Sequence, residues 1–406
     1  MSAPGGQAAA TVTEVEVTPP RADFLRRFVQ GDLGELRVII AIVVIWAVFQ
    51  IQEDRFLTST NLTNLMLQMT GVALISIGVV LVLLLGEIDL SVGAVSGLCA
   101  SVMAVLSVKH GWSPYTAIAA AVLAGTAIGF LHGMLFTRFG VPSFVITLAG
   151  LLAYQGAQLQ VLGSTGTINI TDEKVVGLTG TFYSDMFGWV LAIVAIAAFA
   201  LISLNGRRKR EAADLPSQPL ATIVIRIVLV AAVTLGAVAV LNADRGVPLA
   251  VLILMGFALA FYYVTSRTRF GRHIFAVGGN AEAARRAGIH VDRVRVVVFM
   301  LASAMAAVGG LMLASRLLAV NQSSGSGDLL LLAIAAPVIA GTSLFGGRGS
   351  VWTAILGGLV IQSISNGMDL LALESSWKFM VTGAVLLAAV IIDALARRQR
   401  QAAGRV

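Results

Sequence analysis

The chain has 406 residues, of which 57% are hydrophobic and only 12% are charged. Soluble domains carry about 25% charged residues, so the composition excludes a soluble globular protein and predicts one that crosses a membrane several times. The net charge of +7 does not indicate a nucleic-acid partner, because the basic residues lie between apolar runs, as orientation signals do. The single cysteine, Cys99, excludes an intrachain disulfide bond. The four histidines show no metal-ligand spacing, so we expect no metal site.

The chain begins with small and polar residues, without the apolar core of a cleavable signal peptide. We expect residues 1–35 to form a disordered cytoplasmic tail. Runs of roughly 20 apolar residues, each long enough for a membrane-spanning helix, then predict an all-α bundle of about twelve spans over residues 36–397. A short cytoplasmic tail, residues 398–406, would follow. The predicted spans lie near 36–52, 62–85, 88–108, 114–137, 142–162, 188–204, 220–241, 248–266, 294–315, 328–345, 351–373 and 377–396.

The basic residues are distributed unevenly between the segments that connect these spans. When the N-terminus is placed in the cytoplasm, most of the 28 Lys and Arg residues fall on the cytoplasmic side, which is the side that collects positive charge. A span missed in the middle would reverse every later segment and remove this bias. The distribution therefore predicts an even number of spans, with both termini in the cytoplasm.

Two glycine-rich breaks interrupt the apolar sequence in a similar way. The first is LLLGEIDLSVGAVSG at 83–97, and the second is IAGTSLFGGRGSVWTAILGG at 339–358. In the predicted topology, the span before each break runs from the outside to the cytoplasm and the span after it runs back. This is compatible with a parallel internal repeat of the kind that transporters use. A chance similarity of two glycine-rich turns is the alternative.

The most basic connection, residues 267–295, contains seven Arg and a compact helix signal. Asn280 follows two glycines and can cap a helix, Glu282 falls in the first turn, and Gly288 lies just beyond the end. Arg285 and Arg286 occupy the last turn, where positive charge favours the helix dipole. The segment is either a helical linker or a surface that binds another protein. A second long connection, 163–188, is either a lid or docking surface on the outside or a tolerated insertion.

Carboxylates interrupt the first glycine-rich break. Glu87 and Asp89 follow more than thirty mostly apolar residues, and a charge at bilayer depth costs several kcal/mol unless it is paired or hydrated. The topology places them near the cytoplasmic turn, so Asp89 or Ser91 could instead cap the following span. Gly86 and Gly93 would let the backbone turn tightly there. Both a structural and a transport role remain open.

Two predicted spans carry polar side chains on one face. A stripe at i, i+3, i+4 and i+7 is formed by Gln362, Ser365, Asn366 and Asp369. The fifth span has a smaller group, formed by Tyr154, Gln155 and Gln158. Neutral amides and a phenol can hydrogen-bond a hydroxyl-rich solute, so both groups are candidates for a substrate pathway. Hydrogen bonds between neighbouring helices are the alternative role.

Four stretches together carry a resemblance to a known family: GEIDLSVG (86–93), TRFGRHIFAVGGNAEAARRAGI (268–289), AGTSLFGGRGS (340–350) and NGMDLL (366–371). They resemble the membrane-spanning permease subunits of bacterial ATP-binding-cassette importers for monosaccharides, the ribose, xylose and galactose group. The additional spans around residues 205–219 resemble the longer, xylose-type members. The sequence departs from many members in having only Asp328 at the start of the tenth span, and Pro337 is expected to kink that span.

The resemblance implies a permease in the bacterial cell membrane that works as a pair with two ATPase subunits. An extracytoplasmic binding protein would deliver a monosaccharide, such as xylose or a similar pentose or hexose. ATP and Mg²⁺ would be bound by the ATPase, so we expect no cofactor on this chain. The resemblance also implies that the helix at 281–288 docks on the ATPase. The residues assigned to this coupling are Gly279, Asn280, Glu282, Ala283, Arg286 and Gly288.

The sequence contains no P-loop of the form G-x-x-x-x-G-K-[ST] and no G-x-S-x-G or H-E-x-x-H motif. We therefore expect no catalytic residues and no nucleotide site of its own, and ATP hydrolysis would occur on a separate subunit. The alternative function is a secondary transporter driven by an ion gradient, in which Glu87 and Asp89 would bind a proton or a sodium ion.

Overall fold

The computed structural model describes residues 34–402, which form a helical bundle with two small β-sheets. The first half contains α1 (Gly34–Gln52), α2 (Ser59–Leu84), α3 (Val92–Ala104), α4 (Pro114–Phe139), α5 (Ser143–Leu162), β1 (Thr167–Asn169), α6 (Glu173–Gly180) and β2 (Phe182–Tyr183). The second half contains α7 (Asp185–Glu211), α8 (Leu220–Asn242), β3 (Val247–Pro248), α9 (Leu249–Arg267), α10 (Arg269–Gly279), α11 (Ala281–Arg286), α12 (Val291–Leu317), β4 (Ala319–Asn321), α13 (Leu329–Ile339), α14 (Trp352–Leu370) and α15 (Ser375–Ala402). A π-helical turn, Val105–Lys109, extends α3.

Every predicted span overlaps one of these helices, so the all-α class is confirmed. Within residues 34–402, eight helices are long and apolar enough to cross a membrane: α2, α3 with its π-helical extension, α4, α5, α7, α8, α9 and α12. The predicted tail at 1–35 lies outside the described residues, except that Gly34 and Glu35 begin α1. The predicted tail at 398–406 continues α15 as far as Ala402, and its remainder lies outside the described residues.

The centre of the bundle is formed by α2 and α12. In the most apolar part of α2, 89% of the residues are buried, and in that of α12 61% are. Glycines allow their backbones to approach closely, as is usual for helices in membranes, and a Cβ added to Gly78 would lie 2.7 Å from the carbonyl oxygen of Ala302. In the most apolar parts of α7 and α8, only 11% of the residues are buried. Their exposed apolar faces therefore place these two helices at the periphery, against lipid.

Residues 163–188 are folded onto the bundle. Strand β1 pairs with β4 in an antiparallel ladder, and β2 pairs with β3. Helix α6 is joined to the end of α12 by the hydroxyl groups of Thr179 and Ser315, which lie 2.8 Å apart. The sequence did not predict these elements, because strands of two or three residues give no periodic signal.

Two irregular segments lie inside the bundle. Residues 86–91 precede α3 and residues 322–328 precede α13, and neither segment is helical. Because α13 has only 11 residues, it rises about 16 Å, roughly half of the 30 Å membrane core. It ends at the side of the bundle that carries α10 and α11, which we call the basic end, so it begins about half-way across. The predicted span at 328–345 is therefore a short helix between two irregular segments.

The N-terminal ends of α3 and α13 lie beside each other. A Cβ added to Gly93, in the first turn of α3, would lie 2.6 Å from the carbonyl oxygen of Gly325 and 3.6 Å from the backbone nitrogen of Leu330. Only a residue without a side chain allows this approach. The interior of the bundle therefore contains a place where two helices begin and an irregular segment passes between them.

A first prediction concerns the packing of α14 on α13. A Cβ on Gly357 would overlap the carbonyl oxygen of Ala336, whereas a Cβ on the adjacent Gly358 would make an ordinary 3.5 Å contact with Ala73. We expect Gly357→Ala to lower the stability by about 1–3 kcal/mol through overpacking. The matched variant Gly358→Ala should be neutral or slightly stabilising because alanine favours helix. Thermal unfolding of both variants in detergent checks this, and equal midpoints would contradict it.

Candidate functional site

Three glycine-containing segments meet at the basic end of the bundle. Gly278 lies near the end of α10, Gly86 follows α2, and Gly346 and Gly347 lie between α13 and α14. The N–H of Gly347 donates a hydrogen bond of 2.9 Å to the carbonyl of Leu84, and a Cβ on Gly278 would overlap that same carbonyl oxygen. We call the four glycines the glycine junction. It brings three of the four motif stretches into direct contact.

The two glycine-rich breaks that suggested an internal repeat are thus neighbours in space. Gly86 and Gly346 have φ angles of +77° and +84°, which residues with a Cβ rarely adopt. A Cβ on Gly346 would lie 2.8 Å from the nitrogen of Gly86. The junction is therefore built from backbone contacts that larger residues would prevent.

The predicted helix in the basic connection is confirmed as α11. The side chain of Asn280 accepts a hydrogen bond of 2.9 Å from the N–H of Ala283, which is the expected N-terminal cap. Beyond the helix, Gly288 has a φ of +83°, and the N–H of Ile289 donates to the carbonyl of Ala284, as in a glycine-terminated helix. The predicted start and end of the helix both follow from these local hydrogen bonds.

The sequence analysis did not predict helix α10, which precedes α11. Thr268 caps it by accepting a hydrogen bond of 3.1 Å from the N–H of Gly271, and Ile274 and Val277 form its buried face. The spacing of the buried residues is helical, so the signal was present but short. The sequence analysis likewise did not assign Gly278, the α10 residue that contacts α2, to coupling. It assigned the neighbouring Gly279 instead, although nothing lies within 4 Å of a Cβ added to Gly279.

The surface of α11 is charged and exposed. Glu282 forms 3.3 Å ion pairs with Arg285 and Arg286. These side chains remain more than half exposed, up to 79% for Arg286, so the pairs contribute little stability. An open depression of about 490 Å³ lies beside the helix. Its lining residues are Arg285, Gly288, Ile289, His290, Val291, Asp292 and Arg293. The protein thus presents a small rigid helix and an adjoining depression at one end.

Glu87 links the first break to α12. Its carboxylate lies 3.2 Å from the guanidinium of Arg295 and accepts a 2.7 Å hydrogen bond from the hydroxyl of Ser143. Burial raises the pKa of Glu87, while the hydrogen bond from Ser143 and the charge of Arg295 oppose this rise. Arg295 also lies over the ring of Phe136, 4.5 Å from its centroid. The carboxylate that the sequence analysis singled out therefore joins the segment before α3 to α5 and α12, and Arg295 extends the contact to α4.

The irregular segment before α3 is held by hydroxyl groups of α5. The N–H of Ile88 donates to Ser143 at 3.4 Å, and the N–H of Leu90 donates to Thr147 at 3.0 Å. Residues four apart on a helix lie on one face, so α5 supplies acceptors in register with the extended backbone. These bonds replace those that a helix would make within the membrane.

Asp89 is 3% exposed and lies at the centre of this segment. One carboxylate oxygen accepts hydrogen bonds from the N–H and the hydroxyl of Ser91, at 2.8 and 2.6 Å. Within the described residues its other oxygen, Oδ2, is buried without a hydrogen-bond partner. Ser91 precedes α3 but makes no side-chain cap, so the expected capping is limited to the hydrogen bonds that Ser91 donates to Asp89.

Two members of the polar group of α5 make hydrogen bonds within the protein, and lining of a pathway by this group stays a prediction. The hydroxyl of Tyr154 lies 2.9 Å from Nε2 of His132. The amide of Gln158 donates hydrogen bonds of 2.9 Å to the carbonyls of Asn321 and Ser324. Gln155 is partly exposed and makes no side-chain hydrogen bond within the described residues. Gln158 therefore positions the irregular segment that precedes α13.

The stripe on α14 contacts its neighbouring helices. Asn366 and Asn61 of α2 exchange two hydrogen bonds, of 2.8 and 3.1 Å, and Gln362 donates to Gln68 at 3.2 Å. Asp369 forms an ion pair with Lys378 of α15. Ser365, the fourth member, is partly exposed. These contacts are those of interhelical hydrogen bonding, and lining of a pathway by the stripe stays a prediction.

Comparison with known proteins identifies the family. Residues 61–390 match the family described as the permease component of the branched-chain amino acid transport system. The xylose transport system permease protein XylH of Escherichia coli K12 is 37% identical over 389 residues, which cover 95% of this chain and 98% of that protein. The ribose import permease protein RbsC of the same strain is 30% identical over 368 residues, covering 91% and 96%. No solved structure matches the chain significantly.

The chain is an all-α bundle with several helices that are long and apolar enough to cross a membrane, and it is similar to the xylose permease over nearly its whole length. These findings define a multi-pass transport component of the cell membrane, not an enzyme. The chain belongs to the permease-component family that matches residues 61–390. The resemblance to monosaccharide permeases of the xylose type, predicted from the four motif stretches, is confirmed by the similarity to the xylose and ribose permeases.

A second prediction concerns the glycine junction. Gly278→Ala places a methyl group against the carbonyl oxygen of Leu84, whereas Gly256→Ala, on α9, meets no atom within 4 Å. We expect Gly278→Ala to displace α10 and to abolish or strongly reduce transport while the protein still reaches the membrane. Gly256→Ala, the matched control, should transport like the unmodified protein. Uptake measured at equal membrane abundance checks this, and full activity of Gly278→Ala would show that the contact does not matter.

A third prediction concerns the pair formed by Glu87 and Arg295. Breaking a partly buried ion pair leaves one charge without its partner, which costs more than removing both charges. We expect Glu87→Gln and Arg295→Met to lower the unfolding midpoint individually, and the double variant to lose less than the sum of the two. A coupling energy of about 1–2 kcal/mol is expected from such a cycle. Strictly additive effects would mean that the pair does not form in the membrane.

Proposed function

We propose that this protein is the permease subunit of an ATP-driven importer for a monosaccharide, xylose or a similar pentose or hexose. The observation that carries the proposal is the similarity to the xylose permease over 95% of the chain, together with an exposed helix that has no other evident role. The basic end of the bundle would face the cytoplasm, because it collects the arginines of residues 267–295. About twelve membrane segments would then place both termini in the cytoplasm.

The proposal assigns energy coupling to α11. Two ATPase subunits would bind ATP and Mg²⁺ and dock on the exposed helix and the depression beside it, and this chain would bind no cofactor itself. The residues assigned to the contact are Gly279, Asn280, Glu282, Ala283, Arg286 and Gly288. Their exposed charges suit a polar and reversible interface, because charge complementarity sets the orientation of partners and their rate of association.

A second copy of the chain and an extracytoplasmic sugar-binding protein complete the proposed assembly. Asn321 and Ser323 are exposed, yet they lie where α3 and α13 begin inside the bundle. Irregular backbone at membrane depth is tolerated only against protein or water. This face would therefore border a second copy or the transport path. The folded loop at 163–188, at the opposite end, would be available to the binding protein.

An ion-coupled secondary transporter is the alternative. Within the described residues, the Oδ2 atom of Asp89 and the Nδ1 atom of His132 are both buried without a hydrogen-bond partner. Such groups could bind a proton or a cation. Uptake that persists without any ATPase subunit, and that both a protonophore and Asp89→Asn abolish, would favour this function over the first.

A fourth prediction tests the coupling. In membranes that contain the permease, its ATPase and its binding protein, we expect Glu282→Lys with Arg286→Glu to weaken association with the ATPase at least about tenfold, since misplaced charges at an interface cost several kcal/mol. Labelled xylose uptake should fall in parallel. The matched control is Arg207→Glu with Glu211→Lys, because this partly exposed i, i+4 pair lies on α7, a peripheral helix. Unchanged association and uptake in the first variant would refute the docking role.

A further inference from the structure

A cavity of about 280 Å³ lies where α3 and α13 begin. It is bounded by the first turns of α3, the last turns of α12 and the irregular segment before α13. The lining residues are Ser96, Gly97, Ala100, Gly310, Leu313, Ala314, Leu317, Asn321, Ser323, Ser324, Gly325, Ser326 and Leu329. Its volume is close to the lower end of the range for small-molecule sites, about 300 Å³, so it can hold one small solute.

The polar groups of the cavity are hydroxyls and an amide, and none of its lining residues is charged. Asn321 uses its side-chain oxygen to accept a 2.9 Å hydrogen bond from the N–H of Ser323, which leaves its NH₂ group available. Within the described residues the hydroxyl of Ser323 has no hydrogen-bond partner. Ser96 donates to the carbonyl of Gly93 at 2.6 Å and can still accept. These groups can donate and accept without carrying charge, which suits a neutral polyhydroxylated solute.

The cavity has one fixed wall and one open wall. Gln158 holds the carbonyls of Asn321 and Ser324, and a Cβ on Gly97 would overlap the carbonyl oxygen of Ser324, so the segment cannot move closer to α3. Ser323 and Gly327 are exposed, and at this depth an exposed irregular backbone requires water or protein beside it. The position therefore combines a preformed shape with access for a hydrated solute.

We propose that this cavity is a sugar-binding subsite within the permease, occupied by a single neutral monosaccharide during its passage. The proposal rests on the proposed function and adds to it the place and the chemistry of contact. Ser323, Asn321 and Ser96 supply the hydrogen bonds, and the apolar side chains of Leu313 and Leu317 face the carbon skeleton. The absence of charge from the lining favours sugars over amino acids or inorganic ions.

The test uses the fact that the chain has one cysteine, Cys99, which is buried. In a Cys99→Ala background, Ser323→Cys introduces a single thiol at the cavity, and Ser376→Cys introduces one at an exposed position in the first turn of α15 as the matched control. Membranes containing the complete transporter are treated with a small hydrophilic maleimide, with and without xylose. Glycine betaine at equal osmolarity controls for solute effects.

We expect the thiol at position 323 to react and xylose to slow its labelling in a saturable manner. At ten times the half-effective concentration the rate should fall about tenfold, as one-site occupancy requires. Labelling at position 376 should not depend on the sugar. A thiol at position 323 that never reacts, or that reacts equally with xylose and betaine, would overturn the proposal. If Ser323→Cys fails to reach the membrane, Ser326→Cys probes the same cavity with the same two outcomes.

The two hypotheses fail differently in this experiment. If the unmodified transporter shows no ATP-dependent xylose uptake, the proposed function is refuted. Retained uptake without protection at positions 323 and 326 would refute only the subsite. As a second measurement, Ser323→Phe fills the cavity and should abolish uptake while ATPase association persists, whereas Ser376→Phe should leave uptake unchanged.

Discussion

The close approach of three backbone segments at the glycine junction is the constraint on which the rest of the structure depends. Gly278 has no side chain, so α10 can rest on the last carbonyl of α2 and on the turn that contains Gly347. A methyl group at this point would force the elements apart, because packed backbones cannot yield as a flexible side chain can. Helix α11 is therefore connected to the membrane helices by a short and stiff contact.

This contact gives a physical route from the surface of α11 to the interior. Gly86 follows α2 and begins the irregular segment that leads to α3, while Gly346 lies in the turn that follows α13. A displacement of α10 thus acts on the segments connected to α3 and α13, and the N-terminal parts of both helices border the same cavity. Coupling between distant sites requires an element with two arrangements that both sites bias. The irregular segments before α3 and α13 are the elements best suited to this role, since their backbone bonds go to exchangeable side-chain hydroxyls and amides.

The sequence predicted what depends on local chemistry and run length, and it missed what depends on distant contacts. Apolar runs located the helices, and the cap at Asn280 with the glycine at 288 located α11 almost to the residue. Periodicity placed Asn366 and Gln362 on one face but could not identify their partners, Asn61 and Gln68, because pairing is a tertiary property. Hydropathy averages over a window, so the short α13 was predicted as a full span. Gly278 has no local signal that distinguishes it from Gly279.

The distribution of charge explains why the carboxylates that could bind an ion and the cavity that could bind a sugar lie at different places in the bundle. Glu87 and Asp89 lie in the segment before α3, towards the basic end, where Arg295 neutralises one of them. The cavity farther inside is lined by uncharged groups alone. An isolated ion would lose its hydration in such a cavity without gaining a counter-charge, whereas a sugar exchanges hydrogen bonds with water for hydrogen bonds with hydroxyls and an amide at little cost. The same arrangement that makes the cavity unfavourable for ions therefore makes it favourable for a neutral solute.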